Sequence, residues 1–217
     1  QEPNTNSIFL PAKEVLSLQK IILKSREQDS VFGFDDTYYD LAKALHRSTT
    51  KGKNLKAFAT SRRKLQDFLG GKVEFDSKKE RWTFRKGSFR FPIGTTSEGT
   101  KKTAILDTLL GNRYLSQESR IFIDEPEAAL HPYAVSELMD IITLLAGCGI
   151  QFFIATHSYF VIKKMLIIAL KNKMPIPVLS LSDDGVRYEN LANGMPQNTI
   201  IDESVKLYEQ EIEVAFQ

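Results

Sequence analysis

Two short apolar runs, each ending abruptly in residues that carry chemistry, constrain this chain more than any other feature. The first is Ile121-Phe122-Ile123, followed by Asp124-Glu125-Pro126. The second is Phe152-Phe153-Ile154-Ala155, followed by Thr156-His157-Ser158. Between them, Tyr133 to Ala146 spaces its apolar residues as a helix does. A strand, a helix and a second strand in that order make a parallel pair with a right-handed crossover. A further helical stretch, Tyr159 to Lys171, continues the alternation. The expected class is α/β, a mainly parallel sheet flanked by helices.

Burying the apolar residues of both strands leaves polar side chains at their C-terminal ends. In open α/β sheets that edge is where ligands bind. A strand-end aspartate such as Asp124 is what nucleoside triphosphatases use to hold Mg²⁺, directly or through water. Glu125 beside it can take a proton from an attacking water or orient that water. The same residues also suit a strand followed by an acidic helix cap. If the strands are neighbours, His157 shares the edge with Glu125 and can hydrogen-bond a phosphate oxygen or the water; a histidine at a helix start is also an ordinary neighbour of a cap.

A third element is the polar turn Thr96-Ser97-Glu98-Gly99-Thr100-Lys101, between a strand at Phe89 to Ile93 and a helix at Thr103 to Leu110. A hydroxyl and free backbone N–H groups at a helix start form an anion site, and they also form a plain cap. Gly94 and Gly99 followed by Thr100-Lys101 imitate a phosphate-binding P-loop, but a true P-loop places Lys directly after the second Gly. No G-x4-G-K-[ST] occurs in the 217 residues.

The rest of the chain reads more simply. Ile8-Phe9-Leu10-Pro11 looks like the end of a strand whose partner is not evident. Asp35-Asp36 with Tyr38, Leu41, Ala42 and Leu45 has an N-cap and helical spacing, and Leu55 to Leu69 forms a second helix that Gly70-Gly71 stops. Lys72 to Phe75, Arg81 to Phe84 and Phe89 to Ile93 alternate as a small antiparallel meander, with Trp82 as core. Ile176 to Leu181 and Val186 to Leu191 flank the hairpin turn Asp183-Asp184-Gly185, and Ile200 to Glu213 closes as a helix with an acidic face.

With 42% hydrophobic and 26% charged residues, the chain can bury one sizeable core and a smaller lobe. Cys148 is the single cysteine, so no intrachain disulfide forms; it fits a reducing compartment or an inert buried thiol. The most apolar helical stretch, Val161 to Leu170, contains Lys163 and Lys164 and is too short to span a bilayer. The expectation is a soluble, cytoplasmic protein. Net charge is only +2, yet Lys43, Arg47, Lys51, Lys53, Lys56, Arg62, Arg63 and Lys64 accumulate without an intervening acid. Such a segment suits nucleic-acid phosphates, or is a solvated face.

Taken together, these residues resemble the ABC-type ATPases of the SMC, RecF and OLD kind, including AAA-like proteins of bacterial anti-phage systems. Ser97-Glu98-Gly99 matches the signature loop, Ile121 to Glu125 the Walker B strand, Glu127 to Pro132 the D-loop, and Ala155 to Ser158 the switch segment with its histidine. Leu10 to Leu16 and the tail from Gly194 to Glu209 extend the likeness over most of the chain. The resemblance implies the C-terminal part of an ABC-type P-loop NTPase, lacking the Walker A loop: an incomplete linker and strand region at 1–34, a helical insertion or lid at 35–71, and the ATPase core at 72–217. It also implies ATP and Mg²⁺ as cofactors, with Asp124 on the metal, Glu125 polarising the water and His157 sensing the γ-phosphate. Ser97, Glu98 and Gly99 would touch the phosphates of a second head in trans, in an ATP-sandwiched homodimer, or the missing N-terminal P-loop half would be the partner. His131 falls in the D-loop and is equally a helix-start histidine on its adjacent proline. No membrane partner is expected, and the signature departs from the Gly-Gly-Gln form of transporters.

The function that follows is an ATP-hydrolysing head whose dimerisation drives an effector, in anti-phage defence or DNA metabolism. The alternative is a non-catalytic interaction or nucleic-acid-binding scaffold that keeps an ATPase half-fold. An OLD-type nuclease is a further rival, but its acidic domain has no counterpart beyond the short Asp183-Asp184-Gly185 turn.

Overall fold

The computed structural model describes residues 6–13, 15–28, 33–46, 58–183 and 185–216. The chain divides into two compact units, Gln1–Ala155 and Thr156–Gln217. Nothing in composition or charge marks that boundary, which falls within the segment likened to a switch.

In the first unit β1 (Ser7–Leu10), β5 (Arg120–Asp124) and β6 (Gln151–Ala155) form a parallel sheet in the order β1-β5-β6. Ser7 pairs with Arg120 and Leu10 with Ile123, so the strand read as lacking a partner lies on β5. Period-two alternation sends Ile8, Leu10, Ile121 and Ile123 to a buried face. Phe122 and Phe153 stay 37% and 44% exposed, their rings stacked at 4.7 Å and 9°. Parallel sheets are ordinarily covered on both sides; among the described residues of this unit the two rings stay part-exposed.

The helices cover the inner side. α2 (Asp36–His46) packs on β1, and α5 (Pro132–Gly147) on β6. α3 (Ala59–Leu69) and α4 (Glu98–Gly111) complete the layer, and α1 (Gln19–Glu27) packs on α2. Their starts follow from capping. Asp35 Oδ1 accepts from the N–H groups of Thr37 and Tyr38 at 2.9 and 3.3 Å, and also from the Thr37 hydroxyl. His131 Nδ1 accepts from Tyr133 N–H at 3.2 Å, with Pro132 at the first helical position, where no donor is needed. α3 stops at Gly70, whose φ of +59° suits a residue without Cβ. Leu65, Leu109, Met139, Ile142 and Leu145 are fully enclosed where α3, α4 and α5 meet. Each such side chain contributes about 1.5–3 kcal/mol of burial.

Two features differ from the sequence expectation. α4 begins at Glu98 rather than Thr103, because Ser97 caps it and Lys101, 6% exposed, runs its stem along the core and meets Glu98 at 2.7 Å. α1 was not foreseen: only Gln19 and Ile22 are buried on it, too few for a periodic signal.

The meander is β2 (Lys72–Asp76), β3 (Arg81–Lys86) and β4 (Phe89–Pro92), antiparallel throughout. It is joined to the helices by a buried polar chain. Trp82 Nε1 donates to Gln19 Oε1, and Gln19 Nε2 to the Ala42 carbonyl at 2.8 Å. Asn112 Nδ2 donates to the Ala44 carbonyl at 2.7 Å. Two side chains far apart in sequence thereby reach the C-terminal end of α2: Ala44 is among its last four residues, whose carbonyls have no partner within the helix, and Ala42 directly precedes them.

The second unit comprises α6 (Tyr159–Asn172), the antiparallel hairpin β7 (Pro177–Ser182) and β8 (Gly185–Asn190), and α7 (Thr199–Ala215). Ser182 pairs with Gly185 at the expected turn, of which Asp184 lies outside the described residues. Its core is Ile162, Leu166, Ala169 and Leu191, packed against Met165, Ile176, Val178 and Met195. No helix among the described residues is long and apolar enough to cross a membrane.

Candidate functional site

Asp124 is the last residue of β5 and pairs with Ala155, the last of β6. The next backbone N–H, that of Glu125, still donates to the Ala155 carbonyl at 2.9 Å, and there the ladder ends. Glu125 then turns away with φ +43°, a left-handed conformation uncommon outside glycine. Its carbonyl accepts from Ala128 N–H at 2.9 Å, and Glu127 accepts from Leu130 N–H at 3.0 Å. Two successive turns, with Ala129 also at φ +58°, carry the chain from the strand to α5. Both carboxylates are half-buried at the C-terminal edge of the parallel sheet.

Lys102, from the second turn of α4, closes this loop. Its Nζ lies 3.1 Å from the Glu125 carbonyl oxygen and 3.3 Å from those of Pro126 and Ala128. Burial pushes the Lys102 ammonium below its usual range, against the pull of Glu127, Glu98, Glu125 and Asp124, which favour the charged form. Lys101 and Lys102 are indistinguishable by local pattern; in the fold Lys101 turns to Glu98 while Lys102 turns to the loop. Lys102 also lines a small pocket with Pro11, Lys13 and Ile123, at the ends of β1 and β5. Tyr38 of α2 has its phenol pKa raised by burial, and then by the negative charges of Asp35 and Asp124, which brings α2 into the electrostatic surroundings of the strand end.

Ser97, Glu98 and Gly99 form the start of α4. Ser97 Oγ accepts from Thr100 N–H at 3.2 Å and lies 3.0 Å from the Thr100 hydroxyl. The exposed hydroxyl therefore has a capping role whatever else it does. Gly99 is buried, and a Cβ there would lie 3.5 Å from Leu130 and 3.6 Å from Ala134, so the turn packs on the start of α5. His131 serves as the N-cap of α5, the plainer of its two readings. His157 belongs to the second unit and is exposed just before α6; there Ser158 N–H donates to Thr156 Oγ1 at 3.1 Å.

Of the basic segment from Lys43 to Lys64, Arg47, Lys51, Lys53 and Lys56 lie outside the described residues. Arg62 is turned inward, its Nε 2.9 Å from Asp107 with both side chains largely covered, and Lys43 lies over the Tyr39 ring at 5.0 Å. Arg63 and Lys64 are exposed.

Among the described residues no group of three or more His, Cys, Asp or Glu side chains converges as a metal cage. Mg²⁺ in phosphoryl-transfer sites asks for less: one or two carboxylates, with phosphate and water completing the octahedron. Asp124, half-buried at the end of β5, would supply one such carboxylate.

Residues 2–163 match the family described as "AAA domain, putative AbiEii toxin, Type IV TA system". The chain belongs to this AAA family. The chain is also similar to three solved structures, each over 70% of its length. One is an Smc head domain with an extended coiled coil bound to the C-terminal domain of ScpA, from Pyrococcus furiosus, at 14% identity and TM-score 0.41. Another is an SmcHead bound to the C-winged helix domain of ScpA, at 15% and 0.43. The third comes from work on ATP-driven dimerization and DNA-stimulated activation of SMC ATPases, at 15% and 0.41. The chain spans 38%, 53% and 94% of these three chains. No curated protein sequence matches it.

Proposed function

We propose that this AAA domain supplies one half of an ATP-hydrolysing site and acts as the head of a larger ATPase that dimerises around nucleotide. The observation that carries the reading is the end of β5: a parallel strand of buried isoleucines delivers Asp124 and Glu125 side by side at the ligand-binding edge, with Glu125 held in a left-handed turn. Asp124 holds Mg²⁺, which when bound with the nucleotide neutralises charge on the phosphates. Glu125 accepts a proton from the attacking water or orients it. His157 senses the terminal phosphate, and Ser97, Glu98 and Gly99 offer a helix N-terminus to the phosphates of a second head. The part-exposed aromatic rings of Phe122 and Phe153 support a partner that packs on this face of the sheet, either the P-loop half or a second subunit. The effector so driven belongs to anti-phage defence or DNA metabolism.

The test is Mg-ATP binding and turnover by the natural protein, beside its Glu125→Gln variant. Binding retained and turnover lost in the variant supports the reading. Equal turnover by both proteins, or nucleotide binding by neither, sinks it and leaves the scaffold alternative.

A further inference from the structure

We infer that Lys102 is a positioning residue, whose ammonium fixes the backbone on which the Glu125 carboxylate is aimed; this rests on the ATPase reading above and deepens it. A lysine ammonium has three hydrogens and no acceptor. Three carbonyl oxygens, those of Glu125, Pro126 and Ala128, lie at 3.1, 3.3 and 3.3 Å from Lys102 Nζ. They belong to consecutive turns of one loop, so a single cation gathers a segment that would otherwise splay its carbonyl dipoles apart.

The residue gathered most tightly is Glu125. Its N–H is fixed to Ala155 at the end of the β-ladder, and its carbonyl is shared between Ala128 N–H and Lys102. With both flanking peptide groups tied, the direction of its Cα–Cβ bond is set, at a φ of +43° that a non-glycine residue keeps only where its surroundings over-determine it. The anchor itself is rigid. Lys102 sits on α4 between the buried residues Lys101 and Thr103, and the helix is pinned at its first turn by the contact of Gly99 with Leu130 and Ala134. A carboxylate that must meet a water to within a fraction of an ångström depends on such a support, since a misplacement of about 1 Å costs on the order of 100-fold in rate.

The experiment uses the natural protein with Lys102→Met, which keeps the stem and removes every donor, and Lys102→Arg, which restores donors at similar length. Steady-state Mg-ATP turnover and backbone amide exchange at Ala128 are measured for each. For Lys102→Met we expect kcat down by about 100-fold with KM unchanged, faster exchange at Ala128, and recovery of much of kcat in Lys102→Arg. Unchanged kcat, or a rise in KM matching the fall in kcat, overturns the inference. If Lys102→Met does not fold, Lys102→Gln, which keeps one donor group, takes its place under the same criteria. If the unmodified protein turns over no ATP, the ATPase reading fails by itself, and the exchange rate decides: faster at Ala128 in the variant keeps Lys102 as the holder of the loop, and an unchanged rate removes it.

Discussion

Glu125 donates its backbone N–H to the carbonyl of Ala155 at 2.9 Å, one step beyond the last paired residues of β5 and β6. Asp124 is thus the last residue inside the ladder and Glu125 the first outside it. Adjacent carboxylates so placed are held differently, one by the sheet and one by a turn. The bond is made by backbone, so Glu125→Gln leaves it intact while removing the basic oxygen. Turnover in that variant is expected to fall by about 10²–10⁴-fold, the usual contribution of a general base, with nucleotide binding retained, as read by steady-state kinetics and calorimetry.

Ser97 separates capping from phosphate contact. Aspartate caps a helix about as well as serine does, so Ser97→Asp should leave thermal stability within about 0.5 kcal/mol. The added charge at the start of α4 would repel a partner's phosphates. Nucleotide-dependent dimerisation, followed by light scattering, should be lost. Dimerisation at the unmodified level in Ser97→Asp removes this turn from the proposed interface.

Gly71 is required by close approach. A Cβ there would lie 2.5 Å from the Arg85 carbonyl oxygen and 2.6 Å from the Phe84 ring. Gly71→Ala should destabilise the first unit by about 1–3 kcal/mol, seen as a lower urea midpoint. Gly147→Ala, at the end of α5 with no atom within 4 Å of the new Cβ, serves as the control and should be neutral or slightly stabilising.

Trp82 is the single tryptophan, and its indole N–H is held by Gln19, 2% exposed. Removing that acceptor in Gln19→Leu strands the buried indole N–H and takes the side-chain donor from the Ala42 carbonyl. The expected cost is about 1–3 kcal/mol for each group left unsatisfied, with a change in Trp82 fluorescence in the folded state. An unshifted emission spectrum with unchanged stability shows that the polar chain does not hold the meander.

Asp35 gives an acid signature. The hydrogen bond from the Thr37 hydroxyl, joined by those from the N–H groups of Tyr38 and Thr37 and by the charge of Arg26, lowers its pKa from 3.8 against the opposing effect of desolvation. A depressed folded-state pKa means that the carboxylate's contribution is complete above the unfolded value and is lost as pH falls below 3.8 through the folded one. Asp35→Asn should therefore match the unmodified protein at pH 7 and lose less stability on acidification. Asp35→Ala should cost about 1 kcal/mol at pH 7. Thermal melts across that range read both.

The central strand–helix–strand unit was legible because each of its parts is local. Ile121 and Ile123 alternate with Phe122, Val135 to Leu145 repeat at helical spacing, and Asp124 stands where the apolar run ends. The meander, the hairpin, the capping by Asp35 and the stop at Gly70 were legible for the same reason. The partner of β1 was not, since a parallel pairing between Leu10 and Ile123 leaves no mark in the residues between them. Arg62 belongs to the same class: it counts as one more charge in a basic run until α4 places Asp107 beside it.

The sequence by itself determined the α/β class, the strand ends at which Asp124, Glu125 and His157 stand, and the helix start at Ser97, because periodicity, turn chemistry and capping act within a few residues. Only the tertiary structure decided that Lys102 rather than Lys101 reaches the loop after β5, that Gln19 and Asn112 reach carbonyls near the end of α2, and that Phe122 and Phe153 stack with their rings part-exposed. Those outcomes depend on which distant groups are brought within hydrogen-bonding or van der Waals range. That is fixed by how the helices pack on the sheet, and no local pattern encodes it.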